Sequence, residues 1–153
     1  MRKRMIAAVA AAIVLCFGCT ACEGEPVEHV TYSTDTAIVD RYFEGIDGCD
    51  SIEFEERVIS WEHFGMDISI GPHEPGYCGV LHLSDEQAAE LMDKYEWQET
   101  EFPELQFENI DISDLADDTW YRSSEFDRDT FKIVHVNNVV FNGSDIVFDI
   151  HTT

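Results

Sequence analysis

At 153 residues, 44% hydrophobic and 12% aromatic, the chain has the length of one domain and enough apolar content for a core, which excludes a disordered acidic tail. Nine cations face 32 acids, a net charge of −23. Such a surface repels nucleic-acid phosphates and anionic lipid headgroups, so nucleic acid binding is disfavoured and a charge-driven partner would be a cation or a basic protein.

The chain opens with a basic segment, Met1 to Arg4, followed by an apolar run from Met5 to Gly18. That order, with a run of about 14 residues against the roughly 20 needed to span a bilayer, predicts a secretory signal and not a membrane helix. Removing Arg2, Lys3 and Arg4 leaves six cations against 32 acids, a net −26. The run ends in Cys16-Phe17-Gly18-Cys19-Thr20-Ala21-Cys22-Glu23. Gly18-Cys19 and Ala21-Cys22 each place a small residue before a cysteine, and here the segment resembles a bacterial lipobox; each departs from that pattern in having Cys where Leu is usual three positions earlier. The resemblance covers the leader alone. It implies cleavage before Cys19 or Cys22, lipidation of that cysteine, and anchoring at the outer face of the cytoplasmic membrane or another envelope membrane. The expected organisation is a signal at 1–18, a lipidation site and acidic tether at 19–30, and one extracytoplasmic domain at 31–153.

Cleavage before Cys22 leaves Cys49 and Cys78 as an even pair. They read as a disulfide favoured outside the cytoplasm, closing a loop of about 30 residues worth roughly 3–4 kcal/mol, or as two small buried hydrophobes. Gly48 and Gly79 beside them suggest turns.

In chain order, Asp35 can cap a short helix carrying Ile38, Val39, Tyr42, Phe43 and Ile46. Ile52 to Glu55 alternates as a strand, but Val58, Ile59 and Trp61 occupy both parities, which predicts a bulge near Glu56-Arg57. Met66 to Ile70 and Tyr77 to Leu83 read as strands about a Gly71 to Gly76 turn. Ser84 and Gln87 form a capping box for a helix over Asp85 to Glu96, with Ala88, Leu91, Met92 and Tyr95 inward and a Glu90–Lys94 pair outward. Gln98 to Asp118 reads as an acidic loop with a short strand near Leu105 to Phe107 and a helical turn near Asp114. Trp120 to Phe126 reads as extended.

Phe131 to Phe141 and Ser144 to His151 form a hairpin about Asn142-Gly143, with Val139 facing Ile146 and His135 facing Ile150 on its apolar side. The predicted fold class is α+β: a mostly antiparallel sheet with a C-terminal β-hairpin and one or two packed amphipathic helices.

Six histidines invite a metal hypothesis, with His63 and His73 beside Glu62 and Glu74 the best cluster, but no ligand spacing for zinc is present. Glu108, Asp111, Asp114, Asp117 and Asp118 offer oxygen to calcium without forming an EF-hand loop. No Gly-x-Ser-x-Gly elbow or phosphate cradle occurs, Trp97, Trp120 and Tyr121 suggest a sugar platform only loosely, and no catalytic residue or cofactor is implied. The predicted function is therefore a non-enzymatic binding or interaction module at the envelope, its rival an extracytoplasmic hydrolase or calcium-dependent protein.

Overall fold

Strand-forming stretches dominate the folded part and pair into one antiparallel sheet, packed with three short helices; the class is α+β or mainly β. The computed structural model describes residues 25–63, 66–67, 74–115 and 117–152. Its strands are β1 (Glu25–Ser33), β2 (Cys49–His63), β3 (Met66–Asp67), β4 (Gly76–Leu83), β5 (Gln98–Thr100), β6 (Trp120–Arg122), β7 (Val134–Phe141) and β8 (Asp145–Thr152). The order across the sheet is β1-β2-β4-β8-β7-β6-β5, with β3 paired to β2. The helices are α1 (Ala37–Tyr42), α2 (Asp85–Lys94) and α3 (Ser124–Thr130). Among the described residues no helix is long and apolar enough to cross a membrane.

All three helices lie on one face of the sheet. There Ile52, Phe54, Leu81, Phe141, Ile146, Phe148 and Ile150 meet Ile38, Val39 and Phe43 of the α1 region, Ala88 and Leu91 of α2, and Phe126 and Phe131 of the α3 region. Phe43 wedges edge-on against both Phe131 and Phe148, each at 5.0 Å between ring centres. Fully buried aromatics such as Phe126, Phe141 and Phe148 contribute about 1.5–3 kcal/mol each through burial, so this face is the main apolar core.

The opposite face carries Val80, Val140, Val147 and Trp120, and no helix covers it. Its cover is residues 101–115 and 117–119, a strap that lays Phe102, Leu105, Phe107, Ile110, Ile112 and Leu115 against the sheet and turns its acids outward. Both faces are thus buried, by different means. The expected bulge at Glu56-Arg57 does not occur: the pairing runs unbroken through both residues on the β1 and β4 sides, the irregularity falls at Cys49/Ser51 instead, and Ile59, on the second parity, stays exposed.

Other expectations are corrected locally. Glu25 to Val30, assigned to the tether, are paired in β1. Asp35 Oδ1 does accept from Ala37 N at 3.0 Å, but α1 ends at Tyr42. Ser84 caps α2, accepting from Gln87 N at 3.3 Å, whereas the Gln87 carboxamide turns away from a capping box to accept from Asp47 N and Gly48 N. Met92 stays exposed, and Lys94 lies over the Tyr95 ring at 5.0 Å. Residues 105–107 form no strand, and Ser123 starts helix α3 inside the stretch read as extended.

The hairpin forms with its register moved by two. Phe141 pairs with Ile146 and Val139 with Phe148, because Asn142 N donates to Asp145 O and the loop becomes Gly143-Ser144, with Gly143 at φ 100° in the first loop position. A shift of two keeps every side chain on its face. The irregularity between Val136 and Asn138 then reverses the lower half, so His135 is exposed opposite His151 and is not a core residue.

Gly79, expected near a turn, sits mid-strand in β4 between Phe54 and Phe148. A Cβ there would stand 2.2 Å from the Glu53 carbonyl oxygen and 2.7 Å from Phe54 Cβ, so the bare backbone is what lets β2 and β4 close. Gly79→Ala is expected to destabilise by more than about 2 kcal/mol in urea unfolding. Gly45→Asn, at a φ of 80° with open space around it, should stay within about 1 kcal/mol of the wild type.

Candidate functional site

Several residues singled out by the sequence do not converge. Cys19, Cys22 and His73 lie outside the described residues, as does the side chain of His63. Cys49 and Cys78 are both free. Cys49 pairs with Leu83 and Cys78 with Glu55, so six residues of β2, about 20 Å of strand, lie between their positions and no disulfide joins them here. Asp111 caps its own turn at Ser113, and Asp118 accepts from Asn142 at 3.0 Å; among the described residues no three His, Cys, Asp or Glu side chains gather as a metal site. Trp97 packs on Phe141 on the helix side, whereas Trp120 is buried under the strap and donates to Leu115 O, so they build no common platform.

The most concentrated polar arrangement lies on the strap side at Glu55, which β2 alternation points between the sheet and the strap. Its side chain has 0% exposure. Oε1 accepts from Glu108 N at 2.7 Å, Asn109 N at 2.5 Å and Asn109 Nδ2 at 3.2 Å, while Oε2 accepts from Arg57 Nη2 at 2.8 Å. Arg57 in turn donates to Gln106 O. Burial alone would raise the Glu55 carboxyl, but the bonds from Arg57, Asn109 and Glu108 outweigh it and hold it below the usual carboxylate range. A cleft of about 300 Å³ opens beside it, with Cys78 and Asp149 in its wall. Burial pushes the Cys78 thiol up to about 11 despite the opposing Arg57, so it stays protonated and is a poor nucleophile. Glu55 is occupied in holding the strap; this is a structural anchor.

A second cleft, of about 340 Å³, lies on the helix side beneath α1. Its floor is a transverse row across three strands: Thr31 of β1 faces Glu56 of β2, which faces Tyr77 of β4. Ser33 and Phe54 form the neighbouring row, and α1 supplies Ile38, Arg41 and Tyr42 as the roof. Tyr42 and Tyr77 stand 5.3 Å apart, Arg41 lies 5.8 Å from the Tyr42 ring centre, and Tyr77 donates to Glu56 Oε1 at 3.3 Å. Burial, with the Tyr42 hydroxyl and Glu56 beside it, pushes the Tyr77 phenol well up, so it remains a donor at any physiological pH. Aromatic walls with a few convergent polar groups are the chemistry of a binding slot. The sequence held one signal for it: Arg41 is one of only six cations that follow Arg4. The row itself depends on register, which Glu56 as a supposed bulge concealed.

Two predictions concern the anchor. Glu55→Ala should cost about 3–5 kcal/mol in urea unfolding, since it strands Arg57 and two backbone N–H groups. Because the folded carboxyl lies below its ordinary value of 4.5, its ionic contribution is complete above that value and is lost as pH falls through the folded value. The stability gap between wild type and Glu55→Gln should therefore be constant at neutral pH and narrow below about pH 4.5. Comparison with protein-family models, with curated proteins and with solved structures finds no match for this chain.

Proposed function

We propose that this chain is an exported lipoprotein whose α+β domain is a non-enzymatic module that binds a ligand or protein partner in the slot beneath α1. The slot is the observation that carries this reading. It is concave, falls within the size of small-ligand sites, and combines the Tyr42 and Tyr77 rings with the Glu56 carboxylate and the Arg41 guanidinium. Tyr and Arg are the residues that concentrate binding energy at interfaces, because their rigid, amphipathic groups pack and hydrogen-bond at modest entropic cost.

Location rests on the leader. Gly18-Cys19 and Ala21-Cys22 supply the lipidation sites, and a domain of net −26 gains no hold on an anionic bilayer by charge, so the lipid would carry the attachment. The same charge disfavours nucleic acid and favours a basic protein or cation as partner.

Two measurements test this. Intact mass of protein taken from the membrane fraction should begin at Cys19 or Cys22 and include a diacylglycerol; a product still carrying Met1 to Arg4 overturns the export reading. Screening small aromatic, cationic and carbohydrate fragments by NMR should shift the Tyr42 and Tyr77 ring signals, and Tyr42→Ala should weaken those hits at least about tenfold. A slot that no fragment perturbs overturns the binding reading.

A further inference from the structure

The slot opens at an edge of the sheet. β1 pairs with β2 through nine residues, Glu25 to Ser33, and among the described residues no strand pairs with its other side. The opposite edge, β5, is only three residues long. A long edge is a template for another strand unless charge, proline or a bulge blunts it. β1 has Pro26 near its start, while Val27 to Ser33 runs in unbroken register with no Lys or Arg.

Resting on the slot reading above, we infer that the occupant is an extended segment of a basic protein, added as a strand along the outer edge of β1, with a Lys or Arg side chain reaching into the slot. The register supports this geometry. A strand added outside β1 places one residue opposite Thr31 on the helix side, extending the row Thr31, Glu56, Tyr77 outward by one position. That residue stands two strand spacings, about 9.5 Å, from Glu56. The long stem of Lys or Arg crosses the gap by lying over the small Thr31 side chain, bringing its charge to the Glu56 carboxylate at the Tyr42 and Tyr77 rings. Asp35 is the other carboxylate lining the slot, with Arg41 its cation, while Glu28 and Glu53 add negative charge near the edge on its other face. The local balance is acidic, as is the whole chain. A second copy would bring another −26 to the same edge, so a basic partner is favoured over self-association. Backbone pairing would supply affinity and the slot would supply selectivity.

The test uses the full domain and a defined probe, the capped nonapeptide Thr-Val-Thr-Val-Lys-Val-Thr-Val-Thr. Two counterparts accompany it: one with Glu in place of Lys, and one with its five central amides N-methylated and so unable to pair. The lysine peptide should shift the backbone amides of Val27 to Ser33 together with the Tyr42 and Tyr77 rings. The glutamate peptide should bind at least about tenfold more weakly, as should the lysine peptide with the Glu56→Gln protein. Tyr77→Phe, which keeps the ring and frees Glu56, should retain the preference for lysine. N-methylation should abolish binding. The inference is overturned if the lysine peptide leaves the β1 amides unmoved, if the N-methylated form binds equally well, or if the β1 shifts prove to arise from dimerisation in sedimentation without peptide. Should fragments move the slot while no peptide moves β1, the strand partner fails and the slot stands; should both be silent, both fall.

Discussion

The cover over one whole face of the sheet depends on one buried carboxylate. Glu55 has no exposed surface, and removing an ion from water costs several kcal/mol unless partners replace the lost hydration. Four donors do so, three of them from a single pair of strap residues, Glu108 and Asn109. The bonds cross more than 50 positions of sequence, so they form only when the strap is seated. Seating needs help because residues 98–119 carry eight acids and no Lys or Arg. Self-repulsion works against holding such a segment down. Arg57, set beside Glu55 and bonded to Gln106 O, is the cation that turns a repelling segment into a cover.

With the strap in place, the sheet has two dry faces, and that fact separates what could be read in the sequence from what could not. Along β8 and the end of β7 alternation still reported direction, because Asp145 and Asp149 mark the face away from Phe141, Ile146, Phe148 and Ile150, although Val140 and Val147 on that face are buried under the strap. The α2 start was legible for a similar local reason, Ser84 being a sound cap. Where the polar side chain is itself buried, polarity stops reporting solvent. Glu55 reads as solvent-facing in an alternating strand, yet it is the most buried acid in the described chain.

Register was the second thing hidden. Asn142-Gly143 signals a turn strongly, but whether Gly takes the first or the second loop position decides the pairing, and the Asn142 side chain settles it by accepting from Ser144 N and Asp145 N. Being off by two preserves faces and changes partners. The slot suffered most from this kind of blindness. Thr31, Glu56 and Tyr77 are distant in sequence, none is unusual where it stands, and only the joint register of β1, β2 and β4 aligns them.

The two sides of the sheet are therefore held by forces with different sensitivities. The helix side is closed by aromatic and aliphatic burial, from Phe43 between Phe131 and Phe148 to Leu91 under α2, and is reinforced where Glu44 N bonds Thr130 O and Lys132 meets Glu44 at 2.6 Å. Hydrophobic closure involves no titrating group and is indifferent to pH over the ordinary range. The strap side adds to its apolar contacts a charge whose stabilisation disappears on protonation. The slot belongs to the first side, with its roof on α1 and its floor on three mutually paired strands. Glu56 and Glu55 are neighbours in the chain but point to opposite faces, so the acid that anchors the fold and the acid that lines the slot can change their partners independently.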